Sequence, residues 1–189
     1  TGGTYPAGGS RSSRGDAAKL AALDELVPGI VDEGHRVLIF SQFVSLLSIL
    51  RAWAERRSIP ACYLDGSMTP AARRDEIDRF QGEAGPPIFF LSLRAGGVGV
   101  NLTAADYVVL MDPWWNPAVE DQAIDRTHRI GQTRPVTAYR LIALNTVEEQ
   151  IAALQARKKA LAEDIIPDES SLISSLTPEE ILAFFSPQR

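Results

Sequence analysis

Residues 36–64 read RVLIFSQFVSLLSILRAWAERRSIPACYL. The period of this stretch changes twice. RVLIFS (36–41) is a short, nearly all-apolar run of strand length, and residues 44–57 place apolar side chains at helical spacing. ACYL (61–64) is a second short strand, closed by the turn Asp65-Gly66-Ser67. Strand, helix and strand in that order make a βαβ unit, and strands this apolar are covered on both faces.

The same alternation recurs on either side. From Asp16 onward, Leu20, Leu23, Leu26 and Val27 predict a helix, which Pro28-Gly29 is expected to interrupt or kink. Thr69-Pro70 opens a helix to about Gln81, with proline at its first position. Residues 87–92 (PIFFLS) and 107–111 (YVVLM) read as buried strands. Asn116-Pro117 opens a helix expected to reach Gly131, and residues 136–144 form a last strand. Thr146-Val147-Glu148-Glu149 is a capping box that starts a helix running to about Ile165. The predicted fold is a three-layer α/β domain, with a mainly parallel sheet and helices on both faces.

Three regions follow. Residues 1–15 are Gly/Ser-rich and aperiodic, a flexible leader. Residues 16–165 form the domain. Residues 166–189 are an acidic tail, in which a second capping box from Thr177 to Glu180 marks a short docked amphipathic helix.

Composition narrows the function. A chain of 189 residues, 45% hydrophobic and 23% charged, is one domain with a sizeable core. It has no apolar run of the roughly 18 or more residues that a membrane span needs, and no signal-peptide pattern. Cys62 is the only cysteine, and His35 and His128 are the only histidines. A disulfide framework is excluded, no metal site is expected, and a reducing, cytoplasmic compartment fits. Sixteen Arg stand against three Lys, and Ala is abundant; GC-rich coding, and hence a bacterial source, fits this bias. The net charge of −5 argues against a non-specific nucleic-acid binder only until it is located. Residues 163–189 hold six acidic residues against Arg189, which leaves 18 basic and 18 acidic residues in the rest. The body is neutral and the tail is acidic.

In such sheets ligands bind beyond the carboxyl ends of the strands. No G-x-x-x-x-G-K-[ST] phosphate loop, nucleophile elbow or H-E-x-x-H motif occurs. Three constellations remain. Ser92-Leu-Arg94-Ala-Gly96-Gly97-Val-Gly99-Val-Asn-Leu102 follows a strand directly. Its backbone N–H groups, with a Ser hydroxyl and an Arg, suit phosphate oxygens; the plain alternative is a tight turn needed for packing. Gln122, Arg126 and Arg129 are spaced by four and three, so on a continuous helix they share one face. Two stacked guanidiniums suit an anion between them, or form a solvated stripe neutralised by Asp121 and Asp125. Asp112-Pro-Trp114-Trp115-Asn116-Pro117 puts two tryptophans in a loop past a strand end, either as core or against a nucleic-acid strand.

The order and wording of these segments resemble the Swi/Snf family, ATP-driven double-stranded DNA translocases of helicase superfamily two. The resemblance runs from about Asp16 to Glu163 and rests on VLIFSQF (37–43), LDGS (64–67), SLRAGGVGVNL (92–102), DPWWNP (112–117) and QAIDRTHRIGQ (122–132). It implies the second, C-terminal lobe of a two-lobe RecA-like motor, whose first lobe carries the phosphate loop and the Mg²⁺ ligands. It also implies that Arg126 and Arg129 act as arginine fingers on ATP, in a motif begun by Gln122, and that Gly97 and Gly99 line the nucleotide cleft. Ser41, Gln42, Phe43, Ser92 and Arg94 would meet the DNA backbone, and Trp114 and Asn116 would couple DNA contact to hydrolysis. Arg94 stands where many members have Lys, which keeps the charge. The implied partners are double-stranded DNA, the first lobe and a protein to be remodelled, near a bacterial nucleoid; the isolated lobe would be inactive. A non-enzymatic adaptor lobe and an RNA-directed helicase are the alternatives.

Overall fold

The computed structural model describes residues 14–93, 102–114, 116–125, 132 and 134–162. Ten elements follow in order: α1 (Arg14–Asp32), β1 (Val37–Ser41), α2 (Val44–Arg56), β2 (Ala61–Leu64), α3 (Pro70–Gln81), β3 (Ile88–Ser92), β4 (Tyr107–Leu110), α4 (Pro117–Ile124), β5 (Thr137–Arg140) and α5 (Val147–Ala162). The five strands form one sheet in the order β2-β3-β1-β4-β5, and every pairing is parallel. In register, Val37 of central β1 faces Ile88 of β3 on one side and Tyr107 of β4 on the other.

Alternation along the strands divides the core in two. Val37 and Ile39 point into one cluster with Leu23, Val27 and Ile30 of α1 and Leu46, Leu47, Leu50 and Trp53 of α2. Leu38 and Phe40 point the other way, among Phe80 of α3, Phe89 and Leu91 of β3 and Ala123 of α4. The sheet is therefore covered on both faces, as its apolar strands require. No helix among the described residues is long and apolar enough to cross a membrane.

Capping residues set the helix starts. Thr69 Oγ1 accepts the Ala72 N–H at 3.3 Å, and Asn116 Oδ1 accepts the Ala118 N–H at 3.0 Å, each followed by proline at the first helical position. The expected box at Thr146 is a variant. Thr146 Oγ1 accepts from Glu148 N, and the Glu149 carboxylate accepts the N–H of Asn145 instead of that of Thr146.

Two expectations change. Helix α1 continues through Pro28 to Asp32. Pro28 forfeits one helical hydrogen bond, but Val27 and Ile30 on either side are buried in the first cluster and hold the turn in place. The helix stops further on, at Gly34. There φ is +79°, and the His35 N–H bonds the Ile30 carbonyl while the Gly34 N–H bonds that of Val31. Helix α4 spans Pro117–Ile124, with the Asp125 N–H bonded to the Asp121 carbonyl, and the rest of the helix expected up to Gly131 lies outside the described residues. Strand β5 spans Thr137–Arg140 only, because its one neighbour, β4, is equally short.

β2 is an edge strand, and α3 serves its open side. The Tyr63 N–H donates to Glu76 Oε2 at 3.0 Å, Arg79 donates to the Ala61 carbonyl at 2.9 Å, and Glu76 and Arg79 pair at 2.8 Å. Cys62 lies between them, fully buried, and burial pushes its thiol up to about 11. The folded chain is expected to resist iodoacetamide at pH 8 and to take up one equivalent once unfolded in urea, read by intact mass. Complete alkylation of the native chain within minutes would contradict this burial.

Candidate functional site at the carboxyl edge of the sheet

β1 ends at Ser41, β3 at Ser92 and β4 at Leu110, and Ser41 and Ser92 are paired in register. The chains leaving these strands stay bonded. The Leu93 N–H reaches the Ser41 carbonyl at 3.0 Å, and the Met111 N–H reaches the Phe40 carbonyl at 2.9 Å.

Asp112 gathers the turns that follow. Its side chain is buried, and Oδ2 accepts the Ser41 hydroxyl at 2.5 Å and the Gln42 N–H at 3.1 Å. The Ser41 hydroxyl in turn accepts the Phe43 N–H at 3.0 Å, and Gln42 Nε2 reaches the Pro113 carbonyl at 3.4 Å. Burial pushes the Asp112 carboxyl above the ordinary carboxylate range, against the opposing pull of the Ser41 hydroxyl, the Lys19 ammonium and the Gln42 N–H.

The cation is Lys19 of α1, only 3% exposed. Its Nζ donates to the Met111 carbonyl at 2.5 Å, to Glu148 of α5 at 2.5 Å and to Asp112 Oδ1 at 3.4 Å. One ammonium thus ties α1, the end of β4 and the start of α5 together. Sequence reading passed over it. The available signal was its position: Lys19 lies one turn before Leu23 and two before Val27, on the stripe that faces the core.

A second buried carboxylate organises the Trp loop. Glu120 of α4 is completely buried, and its Oε1 accepts the Trp114 N–H at 2.7 Å and Gln155 Nε2 of α5 at 2.9 Å. Gln155 Nε2 also donates to the Trp114 carbonyl. Glu120 Oε2 pairs with Arg140 Nε of β5 at 2.7 Å. The Trp114 ring, half-buried, packs on the second core cluster.

Of the residues singled out from sequence, the structure brings Ser41, Gln42, Phe43, Ser92, Trp114 and Asn116 to this edge. Ser41 and Ser92 are buried beneath it, while Phe43 is 51% exposed and Val44 beside it 46%. The Asn116 side chain caps α4, and Gln122 is exposed in the last turn of that helix. Arg94, Gly97, Gly99, Arg126 and Arg129 lie outside the described residues. Gln132 Nε2 donates to the carbonyls of Thr103 at 3.2 Å and Ala105 at 2.7 Å, and its Oε1 accepts the Arg134 N–H at 2.9 Å. Gln132 is thereby fastened to the backbone just before β4.

Residues 18–131 match the family described as the helicase conserved C-terminal domain. A chromatin-remodeling ATPase INO80 of Drosophila melanogaster is 43% identical over 168 residues, 89% of this chain and 10% of that protein. The Homo sapiens chromatin-remodeling ATPase INO80 is 41% identical over 175 residues, 93% of this chain and 11% of that protein. An uncharacterized ATP-dependent helicase of Mycoplasma pneumoniae is 38% identical over 170 residues, 90% of this chain and 16% of that protein. The chain therefore spans 10–16% of the length of these curated relatives. Among solved structures, the Sulfolobus solfataricus SWI2/SNF2 ATPase C-terminal domain has a TM-score of 0.68 and 33% identity, covering 90% of this chain and 69% of that one. The SWI2/SNF2 ATPase core of the same organism in complex with dsDNA has a TM-score of 0.69 and 38% identity, covering 86% of this chain and 34% of that one.

Proposed function

The chain belongs to the helicase C-terminal domain family, as a Swi/Snf-type C-terminal lobe of superfamily two, and from that premise we propose that it is the second motor lobe of an ATP-dependent double-stranded DNA translocase. The observation that carries the reading is the carboxyl edge itself. The turns after β1 and β4 are welded into one unit by Asp112 and Ser41, with Phe43 projecting from it, on the edge where α/β sheets bind ligands. The likeness to an ATPase core in complex with dsDNA supports the choice of duplex.

In this proposal the two sides of the edge divide the labour. Phe43 and Gln42, with Arg94 and Asn116, meet the duplex backbone. Ser41 and Ser92, being buried, hold the surface rather than touch the strand. Trp114 relays contact to α4. Gly97 and Gly99 let the backbone approach the nucleotide, and Gln122, Arg126 and Arg129 face its phosphates, where the guanidiniums stabilise charge on the transferred γ-phosphoryl group. Mg²⁺, which neutralises phosphate charge when bound, would be held by acidic residues of the first lobe. The sequence has no phosphate loop, so the lobe is expected to hydrolyse ATP only in a longer parent that supplies one. A protein bound to DNA would be the target moved, and a bacterial cytoplasm, at the nucleoid, the proposed setting.

The test is steady-state ATP hydrolysis by the isolated chain and by the two-lobe parent, each with duplex DNA, with RNA and with neither. The expected result is no turnover by the isolated chain and duplex-stimulated turnover by the parent. Preferential stimulation by RNA would make the parent an RNA-directed helicase. A parent that binds DNA without hydrolysing ATP would make this lobe an adaptor.

A further inference from the structure

Glu120 stands out because its burial is complete. It is the fourth residue of α4, in the first turn, where a carboxylate suits the helix dipole but does not need to be buried. A buried carboxylate is strongly unfavourable unless donors surround it. Here the Trp114 N–H, from the loop after β4, and Gln155, from α5, donate to Oε1, while Arg140 of β5 forms an ion pair with Oε2. Gln155 closes the ring by also donating to the Trp114 carbonyl. The peptide on either side of the Trp114 Cα is thus fixed to α4 and α5 through one carboxylate. Trp114 cannot shift relative to α4 without disturbing a buried carboxylate whose other oxygen is paired with Arg140.

We propose that Glu120 is a positioning residue that passes duplex contact at the Trp114 loop to α4, and so to the residues that α4 leads into. The inference rests on the reading of this edge as duplex-facing. Glu120 touches neither duplex nor nucleotide; it sets how displacement of the loop is transmitted. For this to work Oε1 must accept from Trp114 and Gln155 while Oε2 stays anionic beside Arg140. In Glu120→Gln the amide nitrogen has to face either the Trp114 and Gln155 donors or Arg140, so a donor meets a donor on one side. The shape is kept and the link is broken.

The experiment compares the two-lobe parent with its Glu120→Gln and Arg140→Gln variants. It measures ATP turnover without DNA, turnover at saturating duplex, the duplex concentration giving half-stimulation, and the melting temperature. Coupling between sites commonly amounts to about fivefold or more, so the ratio of duplex-stimulated to DNA-free turnover is expected to fall by about fivefold or more in both variants. DNA-free turnover and half-stimulating duplex concentration are expected to stay within about twofold. Equal loss of DNA-free and stimulated turnover, or a ratio within about twofold of wild type, would overturn the assignment. Should Glu120→Gln fail to fold, Arg140→Gln decides by the same thresholds, since the Arg140 side chain is 49% exposed. A wild-type parent that gains nothing from duplex overturns the proposed function and this inference together. A stimulated wild type with unchanged variants overturns this inference alone.

Discussion

Arg129→Ala in the two-lobe parent is expected to lower ATP turnover by about three to five orders of magnitude while leaving nucleotide affinity within a few fold. The size follows from where the charge acts. A guanidinium that meets the phosphates in the ground state as well as in the transition state would contribute to both and would show in KM. One that meets charge only as the γ-phosphoryl group departs contributes to kcat alone. Arg129→Lys should not rescue, because an ammonium cannot present two parallel donors to phosphate oxygens. Turnover by rapid quench and affinity by fluorescent-nucleotide titration separate the two quantities. Survival of turnover within about threefold would remove Arg129 from the role of arginine finger. Arg126→Ala serves as the companion, and the pair should be far from additive if both grip one phosphoryl group.

Lys19→Met is expected to cost about 3–5 kcal/mol of unfolding free energy, the usual penalty for removing one partner of a buried ion pair. Methionine matches the length of the lysine stem and fills its path, so the loss comes from the charge. Asp112 would be left in the core, its Oδ1 deprived of the ammonium at 3.4 Å, while the Met111 carbonyl loses a donor at 2.5 Å. Burial already pushes the Asp112 carboxyl up, and without Lys19 it would rise further. Glu148→Gln should cost less, about 1 kcal/mol, since that carboxylate is 25% exposed and water can replace part of the interaction. Urea titration followed by circular dichroism measures both. A loss below about 1 kcal/mol for Lys19→Met would mean that the cluster is not a tie between α1, β4 and α5.

The elements of this fold are legible in the sequence wherever a local physical cause sets them. ACYL is a strand at 61–64 because apolar, strand-forming residues are bounded by Pro60 and by the Asp65-Gly66 turn; α3 begins at Pro70 because Thr69 caps it. Pro28 does not end α1, because tertiary packing outweighs a local breaker there. That Ser41, Ser92 and Trp114 lie at the carboxyl edge could also be read in advance, since they stand at or just past strand ends. The residues that hold those motifs could not. Lys19 meets Glu148 across 129 positions and Met111 across 92, and Glu120 meets Gln155 across 35. No period or propensity links positions so far apart; only the strand order, with β1 between β3 and β4, brings them together. A single buried charge on an apolar stripe reveals that a partner exists, and never which one.

The arrangement at β2 has a consequence for how the chain behaves in concentrated solution. An apolar outer strand with free N–H and C=O groups is a template on which a second copy can add its own strand, the first step of aggregation. Here Glu76 occupies the N–H of Tyr63, and Arg79 the carbonyl of Ala61, so an incoming strand would have to displace a paired carboxylate and guanidinium before making its first bond. Part of the chain's solubility therefore resides in two side chains of α3, and not only in its net charge of −5.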